Sequence, residues 1–127
     1  VYGEALLRIG DIDEGIDFLE KAYELDPVPQ GQTTGDRRLG ALFLGYYLQN
    51  NFDKCKEINK KIINIDNRTW LLNIDLHNKF GKDYKDDVWF KKGLKEFKNL
   101  DWPLEVDRYH LNDQEKTNYL VKLAEGI

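Results

Sequence analysis

Few residues of this 127-residue chain could act as nucleophile, base or soft ligand: one cysteine, Cys55, and two histidines, His77 and His110. Catalysis needs such groups held with their partners in a cleft. Cys55 falls on the apolar stripe of its helix, where a free cysteine behaves as a small hydrophobe. His77 lies one helical turn from Ile74, the position of a packed or groove histidine rather than a base, and His110 lies in a loop ahead of Asn112. One thiol and two imidazoles are too few for a structural zinc site. No phosphate-binding loop, nucleophile elbow or paired metal-ligand motif occurs. The expectation is a chain with no catalytic, cofactor-binding or metal-ligating residue, and no enzyme activity.

Charge is the next source of chemistry. The net charge of -4 hides a partition along the chain. Residues 1–36 carry nine acids against Arg8 and Lys21, residues 37–100 carry fourteen bases against eight acids, and residues 101–127 carry three bases against six acids. A basic middle can steer a nucleic acid or an acidic partner toward it. The plainer reading is that Lys54, Lys56, Lys60, Lys61 and Lys91, Lys92, Lys95, Lys98 are the wet faces of two helices. Basic stripes without loop aromatics in a chain of negative net charge are weak grounds for nucleic-acid binding, which is kept as the alternative.

These residues must be positioned by folded elements, because 41% hydrophobic and 13% aromatic residues are too many for a disordered chain. The length suits one compact domain or a short helical array. From Asp11, the residues Ile12, Ile16, Leu19, Ala22, Tyr23 and Leu25 recur at helical spacing, with capping-box-like spacing at Asp11 and Glu14 and a stop at Asp26-Pro27. Tyr2, Leu6, Leu7 and Ile9 before Gly10 read as the remainder of a preceding helix. Pro27, Pro29, Gly31, Thr33, Thr34 and Gly35 form a connecting loop, after which Asp36 is expected to cap a helix with two apolar stripes. Asn50-Asn51 ends that helix, and the next carries Phe52, Cys55, Ile58, Ile62, Ile63 and Ile65.

The pattern recurs with Trp70, Leu71, Ile74, His77 and Phe80 before Gly81, then Trp89, Phe90, Leu94 and Phe97 before Asn99. Trp102-Pro103 blocks continuation, and Asn112 with Glu115 offers an N-cap to a last helix that Gly126 closes. No stretch alternates with period two for long enough to require a strand, so the fold is read as all-α. The longest apolar run, Ala41 to Leu48, is interrupted by Gly45 and falls far short of the roughly 20 residues of a membrane span.

Superposing the turns aligns GDIDEGI at Gly10, NNFDKCK at Asn50 and KDYKDDV at Lys82, which places Ile12, Phe52 and Tyr84 in register. The spacings bracket the roughly 34-residue period of tetratricopeptide repeats. Tyr2-Gly3 and Leu6, the tight turn at Gly10-Asp11, and Gly15, Leu19, Ala22 and Pro27 match that signature, and KAYELDP is a strong cue. On these residues the chain resembles the tetratricopeptide repeat (TPR) family. The second unit departs from the pattern with Phe43, Cys55 and Ile62 at small positions and Asn67 in place of proline. The third departs further, with Asp87 at a small position.

The P-x-P connection and the tail DQEKTNYLVKLAEGI are similar to the C-terminal regions of bacterial TPR proteins, including those fused to class III nucleotide cyclases. This implies a cut at Val1 within a longer bacterial protein, as the absence of Met also suggests, and a natural end at Ile127. The single cysteine fits a reducing compartment, so the cytoplasm is the expected location.

The resemblance implies a right-handed α-solenoid of two to three antiparallel helix pairs (1–27, 36–66 and 67–100) followed by a C-terminal extension and capping helix over 101–127. It also implies a non-catalytic scaffold that binds a peptide or protein partner on the concave face of its first helices. Arg8, Arg37, Leu44 and Tyr47 are the expected binding residues, an apolar floor with arginines at its edge. The carboxylate-clamp set of chaperone-binding TPR domains is not reproduced around Arg37. The acidic first third and basic middle can also pair head to tail between copies.

Overall fold

The computed structural model of the chain describes residues 2–25, 33–62, 64–109 and 111–127, at Tyr2 and over 33–37 for the backbone alone. Among these residues there are eight α-helices and no strand. None of the helices is long and apolar enough to cross a membrane. The chain divides into two compact units, Val1–Ile65 and Asp66–Ile127.

The first unit holds α1 (Tyr2–Arg8), α2 (Ile12–Leu25), α3 (Thr33–Leu48) and α4 (Phe52–Lys61), each packed on the next, with α1 also against α3. Glycine sets how closely α1 and α2 cross. A Cβ on Gly15 would lie 2.8 Å from the carbonyl oxygen of Gly3, and one on Gly3 would lie 2.7 Å from Leu19 Cγ. The same crossing recurs one pair later, 40 residues on, where Cys55 Sγ stands 3.8 Å from the carbonyl oxygen of Phe43.

The helix ends repeat with the same offset. After α1, the Asp11 N–H donates to Leu6 O and the Gly10 N–H to Leu7 O, with Gly10 at φ 94°. After α3, the Asn51 N–H donates to Tyr46 O and the Asn50 N–H to Tyr47 O, with Asn50 at φ 57°. This is the Schellman closure, which needs a left-handed residue and is met by glycine or asparagine. Asn51 then caps α4, its Oδ1 accepting from the Lys54 N–H at 3.2 Å.

Several expected boundaries move. The loop over residues 27–35 lies outside the described residues through 32, but Thr33, Thr34 and Gly35 are helical, so Asp36 lies inside α3 rather than capping it. The fourth helix stops at Lys61 instead of running through Ile65, because Ile62 turns extended at ψ 122°. β-branched side chains crowd the preceding helical turn, and in the run Ile62-Ile63-Asn64-Ile65 that preference outweighs the helical spacing. Ile63 itself lies outside the described residues.

The second unit holds α5 (Asn67–Lys79), α6 (Val88–Phe97), α7 (Trp102–Asp107) and α8 (Gln114–Glu125). Both α6 and α8 pack on α5, and α7 packs on α8. Asp66 caps α5, its Oδ1 accepting from the Thr69 N–H at 2.7 Å. Trp70 fills the centre: its indole N–H donates to Phe90 O at 3.2 Å, and its ring lies 5.9 Å from Phe90, 5.6 Å from Phe97 and 5.9 Å from Trp102. Gly93 makes room for that indole, since a Cβ there would lie 2.2 Å from it.

The helix α5 ends in the same closure, with the Lys82 N–H donating to His77 O and Gly81 at φ 63°. The third register is therefore anchored on Gly81, one residue before the expected Lys82. Its connection, residues 80–87, is also longer than the turns that follow α1 and α3. Tyr84 lies in that connection against His77 and Trp89, whereas Ile12 and Phe52 begin helices; Asp87 is the N-cap of α6. Trp102-Pro103 opens a helix, α7, that sequence reading did not anticipate; proline is well suited to a first turn, where its missing N–H is not needed. The cap of α8 is Asp113, whose carboxylate accepts from the Lys116 N–H at 3.0 Å, while Asn112 takes φ 52°.

Candidate functional site

The four expected binding residues do not form an exposed apolar floor. Arg8 is exposed at the end of α1. Leu44 and Tyr47 are 1% and 0% exposed, because both apolar stripes of α3 are interior and residues 39–47 are buried without interruption. The side chain of Arg37 lies outside the described residues. Of the residues with intrinsic reactivity, Cys55 and His77 are equally enclosed. Burial pushes the Cys55 thiol up to about 12 from its ordinary 9.0, so it stays protonated and inert near neutrality. His77 is packed between Tyr84 and Trp89, with Nδ1 2.8 Å from the carbonyl oxygen of Asn73. His110 lies outside the described residues. Among the described residues, no three His, Cys, Asp or Glu side chains converge to hold a metal ion.

Two other constellations bring polar groups together. In the second unit the carboxylate of Asp75, fully buried, accepts from the Tyr119 hydroxyl at 2.8 Å and pairs with Lys79 Nζ at 3.5 Å. Burial and the hydrogen bond to Asp75 push the Tyr119 phenol up to about 12. Lys116 on α8 is held below the usual lysine range by burial and by the neighbouring Lys79. This cluster ties α5 to α8. A buried carboxylate so supplied with donors is satisfied where an unpaired one would cost several kcal/mol.

In the first unit, α2, α3 and α4 enclose a cleft of about 320 Å³. Its floor is apolar, formed by Leu39, Leu42 and Ile58, all buried. One wall is the edge of α2 that carries Glu20, Tyr23 and Glu24, which share a face because positions i, i+3 and i+4 are neighbours on a helix. The facing wall is α4, with Lys54, Glu57 and Lys61 at i, i+3 and i+7 along one face.

The charges in this cleft are unevenly matched. Lys54 Nζ lies 3.7 Å from Glu57, and Lys61 Nζ lies 5.9 Å from the centre of the Tyr23 ring. The Tyr46 hydroxyl, largely buried, donates a short hydrogen bond to Glu20, and burial followed by that contact raises the phenol well above its ordinary range. Sequence reading placed Lys54 and Lys61 on a wet helix face, gave Glu20, Glu24 and Glu57 no role, and missed the cleft. The signal available was the run Glu20, Tyr23, Glu24, an aromatic between two carboxylates on one helix edge.

Comparison of the chain with protein-family models, with curated proteins and with solved structures finds no match in any of the three.

Proposed function

We propose that this chain is a non-catalytic protein-interaction module, a TPR-like right-handed α-solenoid that takes a peptide or protein partner on the face of its first helices. The observation that carries this reading is the repetition, at one 40-residue offset, of both a helix closure and a helix crossing. Gly10 and Asn50 end the first helices alike, and the contact of Gly15 with the Gly3 carbonyl returns as Cys55 with the Phe43 carbonyl. Tandem pairs of this kind bury one face against the next pair and leave an extended surface for partners. The enclosed thiol and histidine support a non-catalytic role, since neither is presented to a substrate.

With Leu44 and Tyr47 interior, Arg8 and Arg37 are the residues left to contact a partner, as cations suited to a carboxylate. The test is capture of partners from a cell extract by the immobilised chain. Arg8→Glu with Arg37→Glu is expected to cut recovery of the specific partners at least tenfold while leaving the helical circular dichroism unchanged. Undiminished recovery would show that the first-helix face is not the binding surface.

A further inference from the structure

We infer that the cleft between α2, α3 and α4 is a socket for one arginine side chain of a partner segment. This assignment rests on the interaction reading above and adds to it a second face and a stated chemistry. A volume of about 320 Å³ is at the small end of ligand sites, roughly 300–1,000 Å³, and suits a single side chain rather than a helix. Such a side chain needs an apolar path for its stem and an anionic, planar seat for its head.

The cleft offers both. Leu39, Leu42 and Ile58 line the path. Among the described residues that line the cleft, Lys54 is matched by Glu57, so the carboxylates of Glu20 and Glu24 are left with Lys61, a net negative charge. Glu24 makes no hydrogen bond or ion pair among the described residues, so its carboxylate can accept a guanidinium. The Tyr23 ring adds a cation–π face, and the position of Lys61 over it shows that a cation is accommodated there. An anionic ligand would instead meet Glu20 and Glu24. Lys61 thus acts as an internal competitor that an incoming guanidinium displaces.

This competition gives the test a signature that damage to the fold would not produce. The tripeptide acetyl-Gly-Arg-Gly-amide is titrated into the 15N-labelled chain, with the citrulline tripeptide as its neutral isostere. Amide shifts are expected at Glu20, Tyr23, Glu24 and Lys61 with the arginine peptide and not with citrulline. Glu24→Gln, on the exposed edge of α2, is expected to weaken binding about fivefold, and Lys61→Ala to tighten it two- to fivefold. Equal shifts with citrulline, no shifts at these residues, or a Lys61→Ala variant that binds no better would overturn the socket. Butylamine binding as tightly as the peptide would also overturn it, marking a site for any alkylammonium instead of a planar guanidinium. Any of these failures leaves the capture experiment with Arg8 and Arg37 to stand or fall by itself.

Discussion

Between Val1–Ile65 and Asp66–Ile127, the backbone device that ends a leading helix is shared: Gly10, Asn50 and Gly81 all sit in the left-handed region and close α1, α3 and α5 with the same pair of hydrogen bonds. The helix crossings differ. In the first unit small residues bring backbones together, with Gly3 against Gly15 and Cys55 against the Phe43 carbonyl. In the second, Gly93 yields its space to the Trp70 indole, around which Phe90, Phe97 and Trp102 gather. A cap depends on a few local backbone angles and forms alike in different surroundings. A crossing depends on the volumes of two helices at once, so it can be rebuilt around an aromatic without altering the cap.

The two kinds of crossing respond differently to substitution, and the molecule supplies a reporter for each. All three tryptophans lie in the second unit, and the sole cysteine lies in the first. The largest effect is expected from Trp70→Ala, which empties the centre of the aromatic cluster and forfeits about 3–5 kcal/mol. Urea unfolding followed by the fluorescence of Trp89 and Trp102 measures this. A loss under about 1 kcal/mol would mean that the aromatic crossing does not hold the second unit together.

Alkaline pH should act next, and it should reach the first unit earlier. The Cys55 thiol is raised in the folded state, so the unfolded chain gives up its proton first. Stability is therefore complete below pH 9 and falls by about 1.4 kcal/mol per pH unit from there toward pH 12. Tyr119 in the second unit has the same sign, with its decline starting near its ordinary pKa of 10.0. Urea midpoints read between pH 8 and 9.5 by circular dichroism should fall for the natural chain and fall clearly less for Cys55→Ala, where only raised tyrosines such as Tyr46 and Tyr119 still contribute. Parallel declines would refute the assignment to Cys55.

A smaller loss, about 1–3 kcal/mol, is expected from Gly15→Ala. The new methyl would meet the Gly3 carbonyl and Leu7 Cδ2, each at 2.8 Å, and separating α1 from α2 should outweigh the gain in helix propensity of about 1 kcal/mol. The rate at which Cys55 becomes open to a thiol reagent in urea reads the first unit. If Gly15→Ala slows labelling, the close crossing is not what fixes α1 against α2.

The sequence was most legible where structure is local. Helix α2 was bounded by Asp11 and Asp26-Pro27, and the turns at Gly10 and Asn50-Asn51 lie where glycine and asparagine marked them. It was least legible where two local preferences compete or where a distant packing surface decides. The apolar spacing of Ile62 and Ile65 continued α4, but β-branching turned the chain extended. Trp102-Pro103 read as a stop and served as a start, because proline both ends one helix and suits the first turn of another. Two stripes on α3 implied two neighbours, yet nothing in the spacing could say whether Leu44 and Tyr47 faced a ligand or the interior.

By itself, then, the sequence determined that the described residues form helices and no strand, the approximate place of most of those helices and the left-handed closures of the leading ones. These follow from periodicity, turn chemistry and composition, which act within a few residues. The tertiary structure alone decided that α3 is buried on both stripes, that the Trp70 indole fills the space left by Gly93, and that Glu20, Tyr23 and Glu24 face Lys54, Glu57 and Lys61 across an apolar floor. Burial and cleft chemistry depend on which surfaces meet, and residues more than thirty positions apart along a chain meet only once its helices have packed.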